Sequence, residues 1–460
     1  MSGASADGAL RPDPSAAPRR VAVVGCGHVG LILSAGLAQL GHSVVGVDRD
    51  QDLVNRLCAA KVPFHEEGLT DLVRSGLNGG RLTFTTSYER GIPDAEFIFL
   101  AVDTPTTPGG AADLRNIRSA TRSIAGALNG TSPIIVNKST SPIGTGETIE
   151  EILRHALAEH GRTPRIVSNP EFLTQGRAVR DFFNPDRTVI GAKAREDAEA
   201  VAALFADLPG EVVVTDLRTA EMIKYVANAF LATKVSFINE IARLCEQLGV
   251  EVDDVVNGVA IDPRIGHHFL RPGIGFGGSC LPKDVAALRY MGEVFGVGTP
   301  VLSAVQQVNL AQRTSAVRRL RSRLGSLENK QIGVWGITFK GGTEDVRDSP
   351  AVDVISLLLN EGATIRAYDP VQPKSLPERL QAVVVDSPIA AVEGADALAI
   401  LTDWSDFVDV PLAAVRDAMR GRLIFDGRNL LDRSEVERLG FAYVGVGRSA
   451  TPMMRRRTDD

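Results

Sequence analysis

Residues 275–284 read Gly-Phe-Gly-Gly-Ser-Cys-Leu-Pro-Lys-Asp, which places one thiol, Cys280, in glycine-rich backbone just ahead of a segment able to start a helix at Pro282. Glycines let a substrate lie close to the main chain, and proline suits a first helical turn. A thiol at a helix N-terminus meets the positive ends of peptide dipoles, which lower its pKa and make it a better nucleophile. For a cysteine taken alone, the plainer reading is a small buried side chain beside a turn. Lys224 and Asn228 stand i,i+4 in a helical pattern and share a face that Tyr225, Val226, Ala227, Ala229, Phe230 and Leu231 make apolar. Taken alone they are a solvated polar pair; held near Cys280, the lysine would stabilise a thiolate or a substrate oxyanion. In Asn169-Pro170-Glu171-Phe172-Leu173, Glu171 reads either as a general base for water or as an acid at a helix start.

A second constellation lies near the N-terminus. Val21-Ala22-Val23-Val24 runs into Gly25-Cys26-Gly27-His28-Val29-Gly30, helical residues follow to Leu40, and the next apolar run ends at Asp48, 18 positions after Gly30. Gly25 allows the tight turn, Gly27 leaves room for a pyrophosphate, and Gly30 lets helix and strand pack closely. Asp48 suits a ribose 2′-hydroxyl and repels a 2′-phosphate, so the order of elements predicts NAD binding. Thr104, in Asp103-Thr104-Pro105-Thr106, and Thr140, in Lys138-Ser139-Thr140-Ser141-Pro142, follow later strands, where open α/β sheets bind ligands; ordinary turn chemistry accounts equally for both.

The elements that must position these groups alternate. Strands are expected at 21–24, 44–47, 97–102, 134–137, 166–168 and 212–214, then uninterrupted helix from Thr219 to about Leu248 and a long helix from Pro300 to Leu324 with Val301, Val305, Val308 and Ala311 on one stripe. A second alternation follows, with strands at 331–335, 364–368, 397–401, 423–425 and 442–446. The fold class is α/β: two Rossmann-like doubly wound domains joined by a central helical region with a long connecting helix. The second half lacks the full glycine fingerprint, although Asp369 ends a strand there, so it is expected to hold something other than a dinucleotide.

Composition narrows the classes. Aromatics at 5% and a net charge of −6 exclude a stacking or basic nucleic-acid surface. The four cysteines are widely spaced, with no metal-type pair, which indicates free thiols and a cytoplasmic protein. No metal is expected, and no run approaches the ~18 apolar residues of a membrane span. A nicotinamide site beside an activated thiol implies a specific chemistry: an alcohol oxidised to an aldehyde, capture of that aldehyde by sulfur as a thiohemiacetal, a second oxidation to a thioester, and hydrolysis to an acid.

From about Arg20 to Val446 the chain resembles the UDP-glucose 6-dehydrogenases of the UDP-glucose/GDP-mannose dehydrogenase family. The resemblance is carried by 25–30, Ser139-Thr140, 169–173, 224–231, Asp262-Pro263-Arg264-Ile265-Gly266, 275–284, Phe339-Lys340, Thr343, Asp345, Arg347, Ser349 and Asp426-Gly427-Arg428. It implies NAD as cofactor and UDP-glucose as substrate, oxidised at C6 to UDP-glucuronate. Cys280 is then the nucleophile; Lys224, Asn228 and Asp284 manage oxyanion charge, an ordered water and proton transfer; Glu171 and Thr140 serve hydrolysis. Gly25, Gly27, Val29, Gly30, Asp48, Thr104, Thr140, Lys283 and Arg347 are implied for the cofactor. Glu171, Phe172, Leu173, Lys224, Asn228, Arg264, Phe269, Arg271, Gly277, Lys340 and Arg428 are implied for the nucleotide-sugar, Arg264 across a dimer interface. The implied domains are a disordered leader (1–19), an NAD-binding domain (20–216), a central helical dimerisation domain (217–325), a UDP-sugar domain (326–450) and a charged tail (451–460), in a homodimer or higher homo-oligomer. Two positions depart from the family: His28 where tyrosine is usual, and Gln175 where a second acid is frequent.

Three other readings share these residues. A GDP-mannose enzyme shares the cysteine run, although 262–266 and 227–233 match the UDP-glucose branch better. TDP-glucose is open because base contacts are largely made by backbone. A non-catalytic nucleotide-sugar sensor would be expected to have lost Cys280 or Lys224, and both are present.

Overall fold

A computed structural model describes residues 17–448 apart from 159, 374, 375, 377 and 382. The charged tail expected at 451–460 and most of the leader expected at 1–19 lie outside the described residues. The chain forms two compact units, residues 1–227 and 228–460.

The first unit is built on eight strands: β1 (Arg20–Val24), β2 (Ser43–Val47), β3 (Leu82–Thr85), β4 (Phe97–Leu100), β5 (Ile134–Asn137), β6 (Arg165–Ser168), β7 (Arg187–Ala192) and β8 (Glu211–Thr215). Their order is β3-β2-β1-β4-β5-β6-β7-β8. All neighbours are parallel except β6 and β7, where Val167 faces Ala192 in an antiparallel pair. The doubly wound sheet expected from the alternation therefore carries one reversal. β3 and β7 escaped the sequence reading because Leu82-Thr-Phe-Thr is short and half polar and Arg187-Thr-Val-Ile-Gly-Ala holds only two β-branched apolar residues.

Central strands are covered on both faces, which is why they read as unbroken apolar runs. Phe97 and Phe99 of β4 point into one cluster with Leu31, Phe182 and Phe205; Ile98 and Leu100 point into the opposite one with Ile117, Ile124 and Ile149. Phe99 meets Phe205 edge-on at 6.4 Å. Full burial of such a side chain contributes roughly 1.5–3 kcal/mol.

The second unit carries β9 (Gln331–Trp335), β10 (Thr364–Tyr368), β11 (Ala397–Ile400), β12 (Leu423–Asp426) and β13 (Ala442–Gly445), all parallel, in the order β10-β9-β11-β12-β13. The Pro300–Leu324 helix buries Ala316, Val317 and Leu320 against Val334, Ala399 and Phe425. On the other face Trp335 stacks on Phe407 at 5.3 Å, and its indole Nε1 donates to the Pro388 carbonyl at 2.9 Å. The Leu217–Leu248 helix runs through the boundary between the two units. Among the described residues, no helix is long and apolar enough to cross a membrane.

Candidate active site

The β1 corner of the first unit is shaped by its glycines. Gly25 has φ 96° and would place a Cβ 2.5 Å from the Ala101 carbonyl oxygen, while a Cβ on Gly30 would fall 1.8 Å from the Gly25 oxygen. Gly27 differs: nothing lies within 4 Å of its added Cβ. The His28–Gln39 helix that follows has no acid in its first turn, so its dipole meets an anion uncompensated. Asp48, just past β2, accepts from the Cys26 amide at 2.7 Å and the Asp50 amide at 3.0 Å, which fixes its carboxylate at the corner. Open space at Gly27, a free helix N-terminus and a positioned acid together fit NAD. Cys26 is buried and burial pushes its thiol pKa up, so it is a packing group.

His28, the departure from the family's tyrosine, has a specific setting. Its Nε2 lies 3.0 Å from Glu66 Oε2, its ring packs on Phe64 at 4.7 Å, and Glu66 also accepts from the Gly176 and Ala178 amides at 2.8 and 2.7 Å. One carboxylate thus joins the glycine loop to the segment that carries Gln175. Glu66 was missed by sequence reasoning, since nothing in its spacing points 38 residues back to His28.

At the far ends of β5 and β6 the same unit gathers Thr140, Glu171 and Lys224. Thr104 Oγ1 donates to the Thr140 carbonyl at 2.5 Å, and Ser139 Oγ donates to the Val102 carbonyl at 2.8 Å, pinning this loop against the neighbouring strand end. Lys224 Nζ meets Glu171 Oε1 at 3.1 Å with both side chains almost fully buried, and the Leu173 amide donates to Glu171 Oε2 at 2.6 Å. Burial pushes the Glu171 carboxyl up, but the Lys224 charge, the Leu173 amide and Lys138 outweigh it and hold it below the usual carboxylate range. Phe172 lies between two cations, with Arg187 at 4.1 Å and Lys224 at 5.3 Å from its ring. Lys138, which the motif reading passed over, donates to Asn169 Oδ1 at 2.9 Å, and burial lowers its pKa to about 8.

The second unit holds the thiol. Cys280 is the N-cap of the Leu281–Val294 helix, one residue earlier than the start expected at Pro282, and the Asp284 amide closes the first turn on the Cys280 carbonyl at 2.9 Å. The preceding glycines have no substitutes: a Cβ on Gly277 would sit 2.2 Å from the Asp348 carbonyl oxygen, and Gly278, at φ 85°, would strike the Phe339 ring at 2.7 Å. Asn309 clasps the loop by accepting from the Phe276 amide at 2.8 Å and donating back to its carbonyl at 3.0 Å. Asp284 is buried one turn below the thiol, receives Asn228 Nδ2 at 2.5 Å, and pairs with Lys283 at 2.7 Å. Cys280, Asn228, Lys283 and Asp284 are thus one cluster of the second unit, as Thr140, Glu171 and Lys224 are of the first.

The basic residues expected at the nucleotide-sugar are placed as follows. Arg428 donates to three carbonyls, Leu401 at 2.9 Å, Gly275 at 3.1 Å and Phe339 at 3.2 Å, and so stitches the cysteine loop to the ends of β9 and β11. Lys340 Nζ stands 5.9 Å from the Phe339 ring. Arg264 pairs in bidentate fashion with Asp262, and Arg347 likewise with Asp345. Phe269, at φ 63°, and Arg271 are exposed.

The β1 corner with its open Gly27 is a dinucleotide site of the kind that NAD-dependent dehydrogenases carry. The chain matches the UDP-glucose/GDP-mannose dehydrogenase family in three successive domains: the NAD binding domain at residues 19–209, the central domain at 218–311 and the UDP binding domain at 333–433. It belongs to that family. It is 41% identical over 442 residues to a UDP-glucose 6-dehydrogenase of Pseudomonas aeruginosa, covering 93% of this chain and 97% of the relative. It is also 41% identical to the UDP-glucose 6-dehydrogenase TuaD of Bacillus subtilis, over 94% of each chain. Among solved structures, a UDP-glucose dehydrogenase from Pyrobaculum islandicum superposes with a TM-score of 0.85 at 36% identity, covering 94% of this chain and 98% of that one.

Proposed function

We propose that this enzyme oxidises the C6 hydroxyl of UDP-glucose to the carboxylate of UDP-glucuronate, taking four electrons from each sugar. The observation that carries the reading is Cys280 at a helix N-cap, in a loop that glycines alone can form, above the buried Asn228–Asp284–Lys283 cluster. Bound NAD supplies the hydride acceptor, one molecule for each of the two oxidations.

The residues then divide the work. The hydroxyl being oxidised gives its proton to an ordered water, and the charged Lys224 stabilises the developing alkoxide. The Cys280 thiolate adds to the C6 aldehyde; the new C–S bond sends the carbonyl electrons to oxygen, and Asn228 and Lys224 stabilise that charge. The tetrahedral carbon still carries a hydrogen, which a free aldehyde could offer only as its hydrate. After the second oxidation, water attacks the thioester carbon, the C–S bond breaks, and the sulfur leaves as thiolate. Glu171 is suited to draw the proton from that water, because Lys224 and the Leu173 amide hold it ionised through the neutral range. Arg264, Arg271, Lys340 and Arg428 are proposed to hold the diphosphate and sugar, and Arg347 the cofactor.

We further place the chain in the cytoplasm as a homodimer. Its four cysteines are widely spaced in the chain, with no metal-type pair, and the second unit exposes Phe230, Phe237, Leu244 and Leu248 along one helix, from 53% to 75% each, an apolar surface suited to a second copy. Of the stripe expected on the Pro300–Leu324 helix, Val301 is exposed and Val305 is buried.

The test is NADH release with UDP-glucose, TDP-glucose, GDP-mannose and UDP-N-acetylmannosamine in parallel, counted per sugar consumed. Two NADH per UDP-glucose, with the others slower by about tenfold or more, is the expected result. Faster turnover of GDP-mannose or TDP-glucose would reassign the substrate.

A further inference from the structure

Glu221 takes no part in the reaction drawn above, yet it is a carboxylate only 4% exposed, one turn before Lys224 on the Leu217–Leu248 helix. Its Oε2 accepts from the Gly144 amide at 2.7 Å and its Oε1 from the Gly146 amide at 2.8 Å, with Ser168 Oγ 3.5 Å from Oε1. Both amides belong to the entry of the Thr145–Ala158 helix, where Gly144 turns the chain at φ 96°. Glu221 also lines a small cavity with Thr140 and Lys224. The loop bearing Thr140 is thus tied on one side to the β4 end, through Thr104 and Ser139, and on the other to the helix bearing Lys224, through this carboxylate.

We propose that Glu221 is a positioning residue that fixes Thr140 relative to Lys224. The inference rests on the reading of those two as reaction groups. Taking a carboxylate out of water is costly unless its oxygens are met, and here each oxygen faces a backbone N–H, so a proton on either one displaces a hydrogen bond. Burial nevertheless raises the Glu221 pKa to about 7 against the pull of the two amides, with Glu147 adding to the rise. The charged groups facing it are Glu147 from the Thr145–Ala158 helix and Arg218 and Lys224 from its own; the β6 end presents the Ser168 hydroxyl. The sign follows. The clamp is whole with Glu221 ionised and loses a bond as pH falls through about 7.

The experiment measures kcat and KM for wild type and Glu221→Gln on either side of that pH. Glutamine offers one acceptor oxygen and so cannot serve both amides. The variant should lose at least about tenfold in kcat above the transition, with KM for NAD unchanged. The wild-type-to-variant ratio should shrink toward unity below it, because protonated Glu221 resembles the amide. Equal kcat above the transition, or a ratio constant across it, overturns the proposal, as does a kcat loss matched by a rise in KM for NAD. If Glu221→Gln does not fold, Glu221→Asp serves. Its shorter arm reaches one amide, and the same kcat loss at constant KM for NAD is expected; unchanged kcat overturns the idea. A wild-type protein that reduces no NAD with any nucleotide sugar defeats the functional reading itself, whereas an active wild type with an indifferent variant defeats this inference alone.

Discussion

At Gly25 and at Gly336 a central parallel strand ends in the same way. Each glycine has positive φ, 96° and 94°, and each donates its amide across to the next strand, to the Val47 and Tyr368 carbonyls at 2.8 Å. Each corner is braced by an acid past that strand, Asp48 accepting from the Cys26 amide and Asp369 from the Ile337 amide, both at 2.7 Å. Two residues after the glycine the corners part. The first has Gly27, with open space around it and a 12-residue helix starting at once. The second has Thr338, fully buried, its hydroxyl 3.1 Å from Asp369 and accepting from Trp404 Nε1 at 3.2 Å, and no helix begins until Pro350. Asp369 is itself buried, and burial raises its pKa, so no ribose reaches it. One side chain, backed by one tryptophan, turns a pyrophosphate seat into packing. The second sheet is therefore free to hold other groups at its strand ends, where Phe339, Lys340 and Arg428 stand.

Substitutions that force the corners apart or together test this contrast. The largest effect belongs to Gly30→Val: with a backbone oxygen 1.8 Å from the new Cβ, helix and strand cannot both stay in place. A loss of about 3 kcal/mol or more should appear in chemical denaturation, together with loss of NAD binding. Next, Thr338→Val leaves Asp369 and the Trp404 indole short of a partner, which costs about 1–3 kcal/mol of stability, while the Kd for NAD stays at its wild-type value. Gly27→Val is the mirror image: the Kd for NAD, read by fluorescence titration, rises at least about tenfold, yet the thermal midpoint holds because the Cβ meets no protein atom. If Thr338→Val weakened NAD binding, or Gly27→Val did not, the contrast between the corners would be lost. Smallest is Lys340→Ala, for which the KM of UDP-glucose should rise by roughly tenfold or less with that of NAD unchanged; a defect confined to NAD would assign the second corner wrongly.

The same contrast explains what was legible beforehand. Strands buried on both faces announce themselves, so β5, β9, β11 and β12 fell within a residue of their expected bounds and β4 within two, and the glycine fingerprint carried its own geometry. β3 was not legible because half of its four residues are polar, and β7 because only Val189 and Ile190 in it are β-branched and apolar. The missing fingerprint in the second half was visible, but what closes that corner was not, since Trp404 lies 66 residues from Thr338. Glu66, Lys138 and Glu221 share that reason: each acts through partners far away in the chain, and no local spacing sets such a residue apart. Lys224 and Asn228 were read correctly as one helical face, whereas their separate partners, Glu171 and Asp284, emerged only from the folded chain.

The central claim is that the Cys280 sulfur holds the half-oxidised sugar between two oxidations. Mass spectrometry of enzyme quenched during turnover, run beside Cys280→Ser, addresses it directly. The account predicts a nucleotide-sugar adduct on the peptide containing Cys280, and, in the serine variant, retained NAD binding with acid formation reduced by about a thousandfold or more. Two NADH and one uronate per sugar from the serine variant at the wild-type rate, with no adduct on the native enzyme, would contradict it.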